Sequence, residues 1–378
     1  MTPSQGALAG LTVIEMAGLG PCPLAGQLLA DHGARVICVD RRSARADLRD
    51  VNRRGKQSIA LNLKDPQAVQ VLLQLIDQAD VLIEGFRPGV MEKLGLGPDV
   101  ALARNPRLIF GRMTGWGQAG PWAQTAGHDL NYLAVTGALA AMGRAGQPPA
   151  PPLNLVADYG GGSMFLLFGV LMAVFERSRS GKGQVVDAAM TDGVPAMMGL
   201  IHTMLAQGSW APQRDCNWLD GAAPFYRCYE TADGKYLSVG CLEPQFYAEF
   251  LRLAGLPVDH AADQNDATLW PARAAEYAAH FKTRSRDDWA AIFDGSDACV
   301  APVLAWEEAA QHPQNADRGT FVTQGGAMQA APAPRLTRSP APQPQMPHAP
   351  GADSGAVLAD LGYDPAEVDA LRRSGVLT

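Results

Sequence analysis

"LTVIEMAGLGPCPLAGQLLADHGARVICVD", residues 11–40, decides the architecture. Residues 11–16 form a short apolar strand. A Gly/Pro turn follows at 17–23. Residues 24–33 carry apolar side chains at helical spacing and stop at Gly33. A second apolar strand, 35–40, closes on Asp40. Strand, helix and strand in this order make a βαβ unit, whose two strands lie parallel.

The pattern continues outward. Asp65-Pro66 opens a helix over 65–79, with proline at the first helical position. "DVLIEGF" (80–86) and "RLIFGRMTG" (107–115) are further strands. Strands alternating with helices predict an α/β fold with a mostly parallel sheet covered on both faces. The texture is Rossmann-like. Asp40 stands where an acid would meet a ribose, but the first turn lacks G-x-G-x-x-G, so the pattern does not favour a nicotinamide cofactor.

A long apolar helix is expected from Ser163 to Ser178. Then "GQVVDAAM" (183–190) reads as a strand leading into a helix with methionines at 190, 197, 198 and 204. Methionines at that spacing are usually core filler; the other reading is a pliable surface for a hydrophobic ligand. Near Phe225 the texture changes. "FYRCYETADGKYLSVGC" is a hairpin turning at Asp233-Gly234. Helices over 245–254, 271–282 and 286–293 and a strand over 299–304 make a smaller α+β domain. Residues 332–350 carry seven prolines and read as an extended strap. Two short helices close the sequence, the second begun by Asp364-Pro365.

At 378 residues the chain exceeds one compact core, so two domains are expected. A net charge of −7 disfavours nucleic acid as a partner, because phosphate contacts need a basic surface. The six cysteines show no metal-ligand spacing and read as reduced thiols of a cytoplasmic protein. "MTPSQGALAG" does not resemble a signal peptide, and "SGVLT" does not match a peroxisomal address. The longest apolar run, 164–175, is about half a membrane span, so no membrane association is expected.

Two positions invite chemistry. His128 and Asp129 sit together at the start of an apolar run, after Gly127 and a loop rich in Gly, Pro and Trp. A lone histidine is more often structural, but loops on a rigid scaffold are where reactive groups lie. Asp129 is one candidate to fix the His128 tautomer and Glu243 another. Asp158 precedes three glycines and an apolar helix. It reads as a helix cap, or as a reactive carboxylate whose glycine neighbours admit a ligand and expose N–H groups to an oxyanion. Arg41 and Arg42 end the second strand, where open α/β sheets bind ligands. Arg42, Arg53 and Arg54 also read as ordinary solvated charges.

Six stretches carry a resemblance: "GLTVIEMAGLGPCPLAGQLLADHGARVICVDR", "NRRGKQSIALNLKD", "DVLIEGFRPGVMEKLGLG", "LIFGRMTGWGQAGPWAQTAGHDLNY", "PPLNLVADYGGGSMFLLFGVLMAVFERSRSGKGQVVDAAM" and "LGYDPAEVDALRRSGVL". In this order they resemble CoA-transferase family III along nearly the whole chain. The resemblance implies a Rossmann-like large CoA-binding domain over 1–215 plus 325–378, with a smaller α+β domain inserted over 216–324. It also implies a homodimer of two interlocked chains.

The family's transferases use an aspartate at the Asp158 position as a covalent nucleophile. Its racemases pair that aspartate with a histidine in a "GHD" like Gly127-His128-Asp129. The resemblance therefore implies a racemase of 2-methylacyl-CoA thioesters in lipid metabolism, working by 1,1-proton transfer through an enolate. A transferase with Asp158 as nucleophile is the alternative. It further implies that Glu243 pairs with His128 and that Asn154 orients Asp158, although Asn154 also reads as a turn residue. Arg41, Lys93, Gly127 and Asp129 would contact the acyl-CoA. Leu61 and Leu63 would frame the adenine through backbone groups, and Met190 and Met197 would line the acyl side. CoA belongs to the substrate, so neither cofactor nor metal is expected.

Overall fold

The computed structural model describes residues 6–41 and 47–377. The chain divides into two compact units. The first comprises Met1–Thr136, Leu153–Met197 and Asp317–Thr378. The second comprises Gly137–Pro152 and Met198–Ala316.

The first unit carries a six-stranded sheet in the order β3-β2-β1-β4-β5-β6, all parallel. Its elements run β1 (Thr12–Met16), α1 (Pro21–Asp31), β2 (Arg35–Arg41), β3 (Lys56–Leu61), α2 (Pro66–Gln78), β4 (Val81–Glu84), α3 (Val90–Lys93), α4 (Pro98–Arg104), β5 (Ile109–Thr114) and α5 (Asp129–Val135). A nine-residue π-helix (Leu155–Ser163) then runs straight into α6 (Met164–Ser180), β6 (Gln184–Ala189) and α7 (Met190–Met197). Helix α2 starts as its sequence directs. The Asp65 carboxylate accepts the Gln67 N–H at 2.8 Å, and Pro66 takes the first turn.

One apolar core lies between this sheet and α2. Ile14, Ile37, Ile59 and Leu82 meet Leu72 and Ile76 there, all at most 2% exposed. The last residues of the chain complete this core through Val357, Leu358, Val376 and Leu377. They also close the sheet edge, since Leu377 bridges Leu61 and the Asn62 N–H donates to the Val376 carbonyl at 3.0 Å.

The sequence reading did not identify β3, and the reason is chemical. Lys56, its first residue, is buried, and its ammonium sits 2.5 Å from Glu15 on β1 and 2.8 Å from the Pro23 carbonyl. Arg53 and Arg54 likewise pair with acids, and Arg54 is buried. Arg54 is 1% exposed and forks onto Asp31 at 2.9 and 2.6 Å. Arg53 forks onto Asp40 at 2.9 and 2.6 Å. Arg42 lies outside the described residues.

In the second unit, α8 (Gly199–Ala206) precedes β7 (Tyr226–Glu230) and β8 (Tyr236–Gly240), the antiparallel hairpin read from Asp233-Gly234. Then come α9 (Pro244–Ala254), α10 (Trp270–Phe281), α11 (Arg286–Phe293), β9 (Val300–Val303) and α12 (Trp306–Ala309). Helix α13 (Pro313–Arg318) spans the return to the first unit, which ends with β10 (Phe321–Gln324), β11 (Ala327–Ala330), α14 (Ser354–Asp360) and α15 (Pro365–Arg373). The second unit starts earlier than expected and includes 137–152. Arg214 donates to the carbonyls of Ala140, Arg144 and Gln147, and Arg144 pairs with Asp215 at 2.9 Å. These bonds join two segments distant in sequence.

The apolar helix is also longer than its sequence suggested. With the π-turn it runs continuously over Leu155–Ser180. By length and composition alone it is the one described helix able to cross a membrane. In this fold its inner side packs on the sheet: Gly111 of β5 leaves room for Leu166 and Val170.

Candidate active site

A cavity of about 730 Å³ opens at the carboxyl ends of the strands. It is lined by Ala17–Cys22 after β1, Asp40 and Arg41 at the end of β2, Gly85 and Phe86 after β4, and Thr114 at the end of β5. The chain builds outward from β1 to β3 and then crosses back to β4 beside β1. Such a switch point is where open α/β sheets bind ligands, because the two following loops diverge there.

His128 and Asp158 both line this cavity. His128 is the exposed, extended residue before α5. Its own N–H donates to the Asn131 side chain at 3.1 Å. The carbonyl of Gly127 accepts the Tyr132 hydroxyl. The Tyr132 ring stands edge-on to Trp116, with centroids 4.7 Å apart. Gly115 and Gly127 exist to admit that ring. A Cβ on either would fall 1.9 or 2.7 Å from its Cε1.

Asp158 lies in the π-helix. The Asp129 carboxylate accepts the N–H groups of Ala157 and Asp158 at 2.9 and 2.8 Å. The Asn154 side chain hydrogen-bonds the Asp158 carboxyl. Across from Asp158 runs the turn before α1, at Gly20, whose φ of +78° is left-handed. A Cβ there would stand 3.8 Å from the Asp158 Oδ2. Burial raises the proton affinity of Asp158 above its ordinary value, and the Asp129 charge adds to it. The Asn154 hydrogen bond and His128 oppose them.

The three glycines after Asp158 have a different job from the one expected. Gly161 packs on Gly193 and Val194 of α7, and Gly162 on Pro21 and Met190. A Cβ on Gly193 would lie 2.0 Å from the Gly161 carbonyl oxygen. They permit close contact between backbones and do not line the cavity.

The other sequence-predicted residues are dispersed. Arg41 and Gly127 line the cavity, and so does Met190. Leu61 pairs in register with Arg41, but its side chain is 2% exposed in the core, where Leu63 also packs. Lys93 is exposed at the end of α3, beside Glu92, which Arg112 holds at 2.7 Å. Met197 contacts Gly160 and is 47% exposed. Glu243 is exposed in the second unit, as the residue before α9.

Asp40 is unavailable to a ribose. Arg53 and the Ser58 hydroxyl, at 2.5 Å, occupy its oxygens, and it is 2% exposed. Burial, with Glu15 and Glu84 nearby, pushes the Cys22 thiol well up, so it is a poor nucleophile. Among the described residues no three His, Cys, Asp or Glu side chains converge as a metal site.

The sequence reading missed Tyr132, Phe86 and Arg87. Arg87 enters through a second cavity of about 300 Å³ that shares Gly127, His128 and Tyr132 with the first. The spacing of Tyr132, one helical turn after His128, was a legible signal.

Residues 8–354 match the model of CoA-transferase family III. The chain belongs to CoA-transferase family III. It is 44% identical to an α-methylacyl-CoA racemase of Mus musculus over 363 residues, 96% of this chain and 95% of that protein. It is 42% identical to the α-methylacyl-CoA racemase of Homo sapiens, covering 98% and 97%. A crystal structure of a CaiB/BaiF family protein from Brucella suis superposes with a TM-score of 0.81 at 26% identity, over 94% of this chain and all of that one. The six-stranded parallel sheet is thus the family's mixed α/β fold.

Proposed function

We infer that this chain is a racemase of 2-methylacyl-CoA thioesters, acting by two-base 1,1-proton transfer. The observation that carries the reading is that His128 and Asp158, from elements joined by Asp129, border one cavity. Its similarity to two named racemases over nearly its full length supports the same reaction.

One group removes the α-proton from one face of the thioester. The other delivers a proton to the opposite face of the enolate. His128 and Asp158 suit these roles because burial and the Asp129 charge bring the carboxyl closer to imidazole in proton affinity. The first N–H groups of α5 follow His128 directly and have no intrahelical acceptor. They are the donors for the enolate oxygen, and Gly127 and Asp129 contribute backbone to that turn. Asn154 orients Asp158, and Glu243 orients His128.

Arg41 takes a phosphate of the nucleotide end, aided by Lys93, while the Leu61 and Leu63 backbones frame the adenine. CoA belongs to the substrate, and the occupied Asp40 supports chemistry without a nicotinamide cofactor. A purely transferase role for Asp158 gives no task to His128 and is not favoured.

The working form is an interlocked homodimer in which the second unit is an inserted domain. Helix α6 supports this, since Met164, Phe168, Leu171, Met172 and Phe175 form one stripe, each at least 41% exposed. A contiguous apolar stripe of this kind marks an interface, which we assign to the partner chain and not to a membrane. Sedimentation as a monomer at micromolar concentration would count against it. The free cysteines suit a cytoplasmic setting, and the substrate class suits lipid metabolism.

The deciding test is α-deuterium incorporation from D₂O. Both epimers of a 2-methylacyl-CoA should exchange. His128→Ala should slow exchange by roughly two to four orders of magnitude. Wild-type exchange in that variant discards the mechanism.

A further inference from the structure

The dipeptide His128-Asp129 points its two side chains to different tasks. His128 faces the cavity, while Asp129 is 6% exposed and turned into the π-helix. One carboxylate oxygen, Oδ2, accepts the N–H groups of both Ala157 and Asp158. Those are first-turn amides, which a helix cannot satisfy by itself. The other oxygen, Oδ1, is buried and has no hydrogen-bond partner among the described residues. A structural cap needs only the first oxygen. A buried, half-satisfied carboxylate is costly, and an uncharged side chain with one acceptor would do the capping.

We propose that Asp129 is a positioning residue for proton transfer: it fixes the backbone of Asp158 and, as a like charge behind it, keeps the proton available to the Asp158 carboxyl. The inference rests on the two-base reading. A pair that works in both directions must let one proton reside on either member. An imidazolium beside a carboxylate would by itself hold the proton on His128. The Asp129 charge offsets that bias.

The surroundings leave few competing charges. Asp158 meets His128 just before α5, Asp129 and Tyr132 on α5, and Asn154, the residue preceding its own helix. The turn before α1 brings Gly20, and α7 meets the π-helix through Gly193, Val194 and Met197, none of them ionisable. Burial is the larger influence on Asp158, and Asp129 is the next.

Asp129→Asn separates the two roles, because its amide oxygen can still accept both N–H groups while the charge is gone. Deuterium exchange is measured against pH for wild type, Asp129→Asn and His128→Ala. The acid limb of the Asp129→Asn profile should move to lower pH, with KM within about twofold of wild type. Relative to wild type, its rate at the acid end should gain about threefold or more over its rate at neutral pH. A uniform loss at every pH, with the limb unmoved, overturns the proposal and leaves a plain cap. Should Asp129→Asn fail to fold by circular dichroism, Asp129→Ser, which keeps one acceptor, is scored the same way. Wild-type exchange in His128→Ala overturns the two-base reading itself, whatever Asp129→Asn does.

Discussion

The hydroxyl of Tyr132 donates to the carbonyl of Gly127, the residue immediately before His128. One turn of α5 therefore grips the peptide that aims the imidazole, and Trp116 backs the gripping ring. Tyr132→Phe keeps the ring and deletes the grip. We expect kcat for exchange to fall about three- to thirtyfold, with little loss of stability. Gly115→Ala should instead cost about 1–3 kcal/mol in denaturant unfolding, since its Cβ must displace the ring. Equal kinetics in Tyr132→Phe and wild type would remove the positioning role.

The proton affinity of Asp158 makes a prediction about stability. Its folded-state pKa lies above the unfolded one, mainly through burial. Such a group favours the fold fully only while protonated in both states, and that contribution is lost as pH rises through the folded pKa. Asp158→Asn cannot ionise. Its Tm should therefore exceed that of wild type above the carboxylate range, and the difference should shrink on acidification. Parallel Tm curves for the two proteins would contradict the assignment.

Lys56 and Glu15 form a buried pair, 3% and 2% exposed, beneath α1. Removing one partner leaves a charge without compensation. Lys56→Met should destabilise by about 3–5 kcal/mol in urea unfolding. Adding Glu15→Leu should restore much of that loss. No recovery in the double variant would mean that packing at Gly26, not charge, dominates there.

Arg53 neutralises Asp40 on the cavity wall that Arg41 shares. Arg53→Ala should expose an unpaired carboxylate to the phosphates of CoA. The Kd of free CoA by calorimetry should rise about tenfold, and the salt dependence of binding should change with it. Unchanged affinity would place the nucleotide elsewhere.

What was legible in the sequence was local. Asp65-Pro66 and Asp364-Pro365 cap their helices as read, and the Asp233-Gly234 hairpin pairs as expected. What escaped depended on partners remote in the chain. β3 was hidden because a lysine at its start reads as solvent-facing until Glu15 is placed opposite. Arg53 and Arg54 look alike in sequence, yet each answers to a different acid. The glycines after Asp158 suggested an oxyanion site because nothing nearby hints at Gly193, which they abut. Asp129 looked like a companion to its neighbour His128. The π-helix that it serves begins only at Leu155.

The bridge between Leu61 and Leu377 has a consequence for biosynthesis. Translation delivers β1 to β6 before residues 354–377, which finish their core and seal their edge. Until those residues arrive, the nascent sheet keeps an apolar flank and an open edge uncovered. During that interval chaperone capture competes with self-association.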